Sequence, residues 1–171
     1  MTGLRLGRGE YGDILQAVVS LLMFMVGVVI IRIVQYHYPE ERVVRRRVIT
    51  LTFEIGLFVA VSLVANRVSN LVTTGMLALA AASQLQEFRT LKNGPFTSLM
   101  MTGNVRTLAE SLLDFFAQKN QRALKKAGDI ATIISTFFVG ALLNGYLVQY
   151  FHSQTILLSA IILLVAMIFG R

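Results

Sequence analysis

A few residues of this 171-residue sequence could do chemistry, and the sharpest is Glu54, an acid inside the apolar run VITLTFEIGLFVAVSLVA. It stands seven positions past Arg47, and at about 1.5 Å per residue that is roughly 10 Å along a helix, within hydrocarbon or close to its edge. An acid at mid-membrane costs about 2.5 to 3.5 kcal/mol on insertion scales unless it is paired, protonated or facing water. Two readings stay open. Glu54 handles a proton or cation, or it pairs with an arginine of the cluster at 45–47 or bonds to a neighbouring helix.

The second group is Gln84, Gln86 and Glu87, followed by NGPFTSLMMTGN. Asn93-Gly94-Pro95 must break a helix, because proline has no amide to donate and disfavours the helical region for the residue before it. Thr102-Gly103-Asn104 then precedes a run with Val105, Leu108, Leu112 and Phe115 on one face. Thr102 or Asn104 can therefore cap a new helix, whose first amides attract an anion. A broken helix whose caps line a cavity is one way to build an ion or substrate site. The simpler alternative is a turn with helix caps at the membrane surface. Asn144, in FFVGALLNGYLV, sits mid-run and needs a hydrogen-bond partner. Ala141 with Gly145, and Thr74 with Ala78 and Ala82, repeat small residues at four, so these helices can approach closely.

The chain that must position these residues belongs in a bilayer. It is 55% hydrophobic with a mean hydropathy of +0.66 and only 15% charged residues, against about 25% in soluble domains. The spacing predicts an all-α, polytopic transmembrane helix bundle with five spans, at 14–31, 48–65, 71–86, 130–150 and 155–169, plus an amphipathic helix near 104–125. Long continuous runs without period-two alternation exclude barrel strands. Basic residues before the first span raise a signal-peptide reading, which its long apolar core and the lack of a small-residue cleavage site exclude.

The net charge of +7 lies in the gaps between apolar runs rather than on one face, which excludes a nucleic-acid partner. Both basic segments, 32–47 and 86–129, read as cytoplasmic by the positive-inside rule, and the turns near Asn66 and Phe151 as external. Arg5 and Arg8, at the outer end in that scheme, are the exception. Arg45, Arg46 and Arg47 read as a topology signal and a contact for anionic lipid head groups. With no Cys, and with His37 and His152 lacking a second ligand at metal spacing, neither a disulfide framework nor a metal site is expected. No catalytic or nucleotide-binding motif is present, so neither an enzyme nor a cofactor is expected.

The order of elements repeats. Met1-Thr2-Gly3 recurs as Met101-Thr102-Gly103, and each is followed by a polar basic segment, a span bearing Phe-x-Val-Gly (Phe24 to Gly27, then Phe137 to Gly140), a turn and another span. Only the second copy has a span in front of it. Residues 1–65 then form an incomplete first repeat and 71–169 a complete second one, within one integral membrane domain at 1–171. On that reading one helix is missing at the N-terminus, and Met1 corresponds to an internal Met. An odd number of spans per half makes the two halves inverted, as in many secondary transporters.

The stretch AAASQLQEFRTLKNGPFTSLMMTGNVRTLAESL, with FFVGALLNG after it, resembles the YoaK-like family of bacterial six-span membrane proteins, a domain of unknown function. The resemblance covers nearly the whole chain, most clearly 71–145. It implies two three-span halves in the bacterial cytoplasmic membrane, each with a Thr-Gly-Asn-like segment after its first span. Gln86, Thr102, Gly103 and Asn104 match that pattern. Gln84 and Glu87 stand where the family often has Gly and Asn, and Thr2-Gly3-Leu4 lacks the Asn. The resemblance implies an architecture and no substrate. The expected function is a transporter- or channel-like protein for a small solute or ion, with Glu54, Gln86, Glu87, Thr102, Gly103, Asn104 and Asn144 as candidate binding residues. A homo-oligomer is compatible with it. A non-transporting membrane partner or scaffold, or an inactive truncated family member, is the alternative.

Overall fold

The computed structural model of the chain describes residues 11–38, 42–91, 94–95 and 101–169. Thr2-Gly3-Leu4, Arg5, Arg8, Lys92, Asn93 and residues 96–100 lie outside them, so the first Met-Thr-Gly copy and most of the predicted helix-breaking segment do too. Six α-helices account for nearly all of the rest: α1 (Tyr11–His37), α2 (Val43–Val64), α3 (Asn70–Glu87), α4 (Met101–Gln118), α5 (Gln121–Phe151) and α6 (Ile156–Phe169). A two-residue antiparallel ladder, β1 (Thr90–Leu91) with β2 (Gly94–Pro95), pairs Thr90 with Pro95 and Leu91 with Gly94. The all-helical expectation holds. Three helices are long and apolar enough to cross a membrane, over Ile14–His37, Val43–Val64 and Gln121–Phe151. Helix α6 is a shorter apolar helix, and at about 1.5 Å per residue its 14 residues reach only about 21 Å.

The contacts divide the chain into two compact units, one of residues 1–87 with 153–171 and one of 88–152. In the first unit α3 packs against both α1 and α2, and α6 packs on α2. Helices α1 and α3 run parallel, with Gln16 Nε2 donating to Thr74 Oγ1 at 2.9 Å near one end and Gln35 Nε2 donating to the Gln86 carbonyl at 3.1 Å near the other. They approach closely because Gly27 has no side chain. A Cβ there would come within 2.8 Å of both Ala82 Cβ and the Leu79 carbonyl oxygen. Of the small-residue stripe expected on the third span, Ala82 is thus the member that makes this contact. The hydroxyls of Thr74 and Ser83 donate to the carbonyls of Asn70 and Leu79, four residues back, so α3 carries polar groups into an apolar setting already hydrogen-bonded.

Helix α2 runs antiparallel to α3 and leads into it through a turn in which Arg67 N and Val68 N donate to the Val64 carbonyl. It starts at Val43, earlier than the apolar run suggests, so Arg45, Arg46 and Arg47 are helical residues and not a loop. Arginine is a good helix former, and its long stem lets the charged head leave the apolar zone. The outer faces of α1 and α2 expose Leu15, Leu21, Leu22, Met25, Val29 and Leu63, an extent of apolar surface that suits lipid rather than water.

The second unit is a helical pair. The amphipathic helix expected near 104–125 ends earlier: α4 stops at Gln118, Lys119 takes a φ of 52°, and α5 begins at Gln121. Lys119 occupies the left-handed position that commonly follows a helix C-terminus. Asn120 caps α5, its side chain accepting from Arg122 N at 3.0 Å. These two residues therefore assign 121–129 to the long helix rather than to the amphipathic one.

Candidate functional site

Glu54 is 1% exposed, on a helix whose length and composition suit a membrane. Arg46, Thr50 and Glu54 recur at every fourth position of α2, and steps of about 100° per residue keep such positions on one stripe. Arg46 fixes which way the stripe faces. Its Nε donates to Glu87 Oε1 of α3 at 2.8 Å, with the Arg46 side chain 16% exposed and that of Glu87 fully buried. In the antiparallel register set by this contact, Thr50 comes level with Ser83, and Glu54 with Leu79 and Ala80. Thr50, Ser83 and Ala80 are all fully buried.

A clasp closes the polar end of this track. Gln86 Nε2 donates to Gln35 Oε1 at 3.1 Å, while Gln35 Nε2 donates to the Gln86 carbonyl at 3.1 Å and lies 3.4 Å from Glu87 Oε2. Arg32 Nη1 donates to Gln35 Oε1 at 3.2 Å, and its guanidinium lies 5.0 Å from the centre of the Tyr36 ring. The ends of α1, α2 and α3 are thus joined by charge-assisted and amide hydrogen bonds, which hold strongly where water is scarce. Two acceptors are left over. Glu54 Oε2 and Gln86 Oε1 are buried without a hydrogen-bond partner among the described residues, a condition that buried polar atoms rarely tolerate unless something else binds them.

Beyond Glu54 the track changes character. Val61 continues the stripe on α2 and is fully buried, so the polar approach to Glu54 runs from the Arg46 and Glu87 end only. Of the two roles open to Glu54 from the sequence, the ion pair with the arginine cluster is not made by Arg46, whose partner is Glu87. Glu87, Gln86 and Glu54 do fall in one unit, on facing helices.

The remaining candidates lie in the second unit. Thr102, Gly103 and Asn104 do not precede α4 but form its first turn, since the helix starts at Met101. Thr102 and Gly103 are exposed there, and Gly103 supplies its carbonyl to Thr107 Oγ1 at 2.9 Å. Asn104 is buried, with Nδ2 3.7 Å from Met101 Sδ. The apolar face expected at Val105, Leu108, Leu112 and Phe115 is not the buried one: Val105 and Leu112 are exposed, and α4 buries Asn104 and Ser111 instead. Asn144 is exposed, and neither Gly140 nor Gly145 has a neighbour within 4 Å of the place a Cβ would take. No close approach therefore forms at Gly145 among the described residues.

Gln35, Thr50 and Ser83 are site residues that the sequence reading passed over. Thr50 was legible as the midpoint of a four-residue repeat between Arg46 and Glu54. Gln35 had a weaker signal, four positions past Ile31, which is almost wholly buried. Ser83 had none, because a serine in a small-residue helix looks like packing. Among the described residues no three of His, Cys, Asp and Glu gather closely enough to hold a metal ion.

No curated protein and no solved structure matches the chain. The apolar helices are those of a membrane protein. Residues 1–169 match the family described as protein of unknown function (DUF1275), and the chain belongs to that family.

Proposed function

We propose that this DUF1275 protein is a transporter- or channel-like protein of the bacterial cytoplasmic membrane that moves a small solute or ion, with Glu54 at the centre of its site. One observation carries the reading. A carboxylate oxygen is buried with no donor among the described residues, in a helix suited to cross the membrane, on a stripe of polar residues that leads to one helix end. Acids inside membrane helices are costly, and they mark ion and substrate paths in membrane proteins. Gln86 and Glu87 form the mouth of that path, and the five-span, inverted-repeat arrangement and the YoaK-like resemblance agree with it. Arg45, Arg46 and Arg47 stand at the same end, where anionic lipid head groups would meet them.

Reconstituted vesicles test this. Full-length protein in liposomes, diluted into iso-osmotic solutions of small ions or neutral solutes, swells with at least one of them. Glu54→Gln abolishes the swelling and Asn104→Ala leaves a measurable rate. Swelling that persists unchanged in Glu54→Gln removes the residue from the path, and no swelling with any solute leaves the non-transporting membrane partner as the better reading.

A further inference from the structure

Glu54 is 1% exposed and its Oε2 is buried, so what satisfies that oxygen must reach an enclosed atom. No ion pair to Glu54 forms among the described residues, and Oε2 has no hydrogen-bond donor there. The elements packed on α2 bring little charge to face it. Helix α6 carries no titratable side chain at all. Helix α3 carries only Glu87, which Arg46 engages. Helix α1 contributes Tyr11 and Asp13 in its first turn and Arg32, Tyr36 and His37 in its last turns, with Arg32 on Gln35 beside Glu87. On α2 itself the other charges are Arg45, Arg46 and Arg47, about two turns away or more.

A metal ion needs several oxygens in place of its water shell, six or so for the common divalent ions. The hydroxyls nearest Glu54 by register, those of Thr50 and Ser83, add only two oxygens to the carboxylate's own pair, and each is already tied to a helix carbonyl, of Arg46 and of Leu79. Ala80, level with Glu54 on α3, offers no oxygen in its side chain. A proton needs one oxygen only, and it removes the cost of a bare charge at that depth.

We infer that the ion taken up by Glu54 is a proton, held on the carboxyl oxygen that has no partner among the described residues, and not a metal cation. This rests on the reading of Glu54 as the working group of a transport site, and names the ion. The protonated carboxyl reacts with a membrane-soluble carbodiimide: its O–H adds across one C=N bond, the proton going to nitrogen and the oxygen to carbon. The acyl group then shifts to nitrogen, giving a stable N-acylurea with no atom lost.

Full-length protein in detergent micelles, treated with dicyclohexylcarbodiimide at neutral pH and mapped by peptide mass, carries the adduct on Glu54 and not on the ion-paired Glu87. Glu54→Gln loses it, and Glu54→Asp, which keeps a carboxyl, retains it. Labelling slows about tenfold per pH unit once the carboxyl ionises, and excess Na⁺, Li⁺ or Mg²⁺ at fixed pH leaves it unchanged. Protection by any of those cations overturns the proposal in favour of a metal site, and an unlabelled Glu54 at neutral pH overturns it outright. Labelling without solute flux in liposomes keeps the proton site and removes the transport reading, and flux without labelling does the reverse.

Discussion

Arg46 and Glu87 join α2 to α3 across 41 positions of chain, the guanidinium Nε donating to a carboxylate oxygen 2.8 Å away with the Glu87 side chain fully enclosed. This pair sets the register of the two helices and so decides which residues come level with Glu54. Burying two charges costs several kcal/mol each, and their attraction offsets that cost only while both are present.

Removing one partner should therefore do more harm than removing both. Arg46→Ala leaves Glu87 charged and enclosed, and a loss of about 3 kcal/mol is expected. The double replacement Arg46→Met with Glu87→Leu should recover most of it. Thermal unfolding in a mild detergent, followed by circular dichroism, measures both, and a double variant no more stable than Arg46→Ala would show that the pair does not act as a unit.

Gly27 should tolerate no side chain. Gly27→Ala brings a methyl to 2.8 Å from Ala82 Cβ and from a backbone oxygen of Leu79, and neither can swing away as a flexible side chain could. Overpacking of this kind costs about 1 to 3 kcal/mol. Gly56→Ala, at a position with nothing within 4 Å, is the matched control on the same unit. It should gain up to about 1 kcal/mol from helix propensity alone. Equal melting temperatures for the two variants would contradict the close approach of α1 and α3.

Gln35 should matter as much as the residues that carry charge. Gln35→Leu strips Gln86 Nε2 of its acceptor and Glu87 Oε2 of a nearby donor, leaving buried polar groups at about 1 to 3 kcal/mol each. Gln35→Glu should lose stability as well, because a carboxylate oxygen replaces the amide donor that faces Glu87 Oε2 and the Gln86 carbonyl. A Gln35→Leu protein that unfolds at the same temperature as the unaltered one would mean that the clasp does not hold the helix ends together.

The proposed topology has its own test, eased by the absence of cysteine from the chain. Any introduced thiol is then the only one present. On the five-span reading Arg67→Cys reacts with a membrane-impermeant maleimide added outside intact cells, while Lys126→Cys reacts only after lysis. Labelling of both from outside would rule that arrangement out.

What the sequence determined by itself was the medium and the class of structure. Runs of apolar residues too long for strands, with charges confined to the gaps, leave helices in a bilayer as the stable solution, because every backbone amide must be satisfied within its own segment there. It also marked Glu54, since a lone acid in such a run is conspicuous against its neighbours. Helix boundaries were less legible. Arg45 to Arg47 looked like a loop because charge suggests water, yet three arginines extend α2, and the Lys119-Asn120 break inside an otherwise helical stretch decided where α4 ends.

The role of Arg46 came from packing. From spacing alone it could serve Glu54 on its own helix, lipid outside, or a partner far along the chain. The choice fell to Glu87 because α3 returns antiparallel and brings that carboxylate to the same level. The same holds for Gln35, whose two hydrogen-bonding groups meet Gln86 and Glu87 only because Gly27 lets α1 lie close along α3. One-dimensional spacing specifies the face of a helix. Which helix that face meets, and at what height, depends on how closely two backbones can approach, and that is settled by the shapes of residues far apart in the chain.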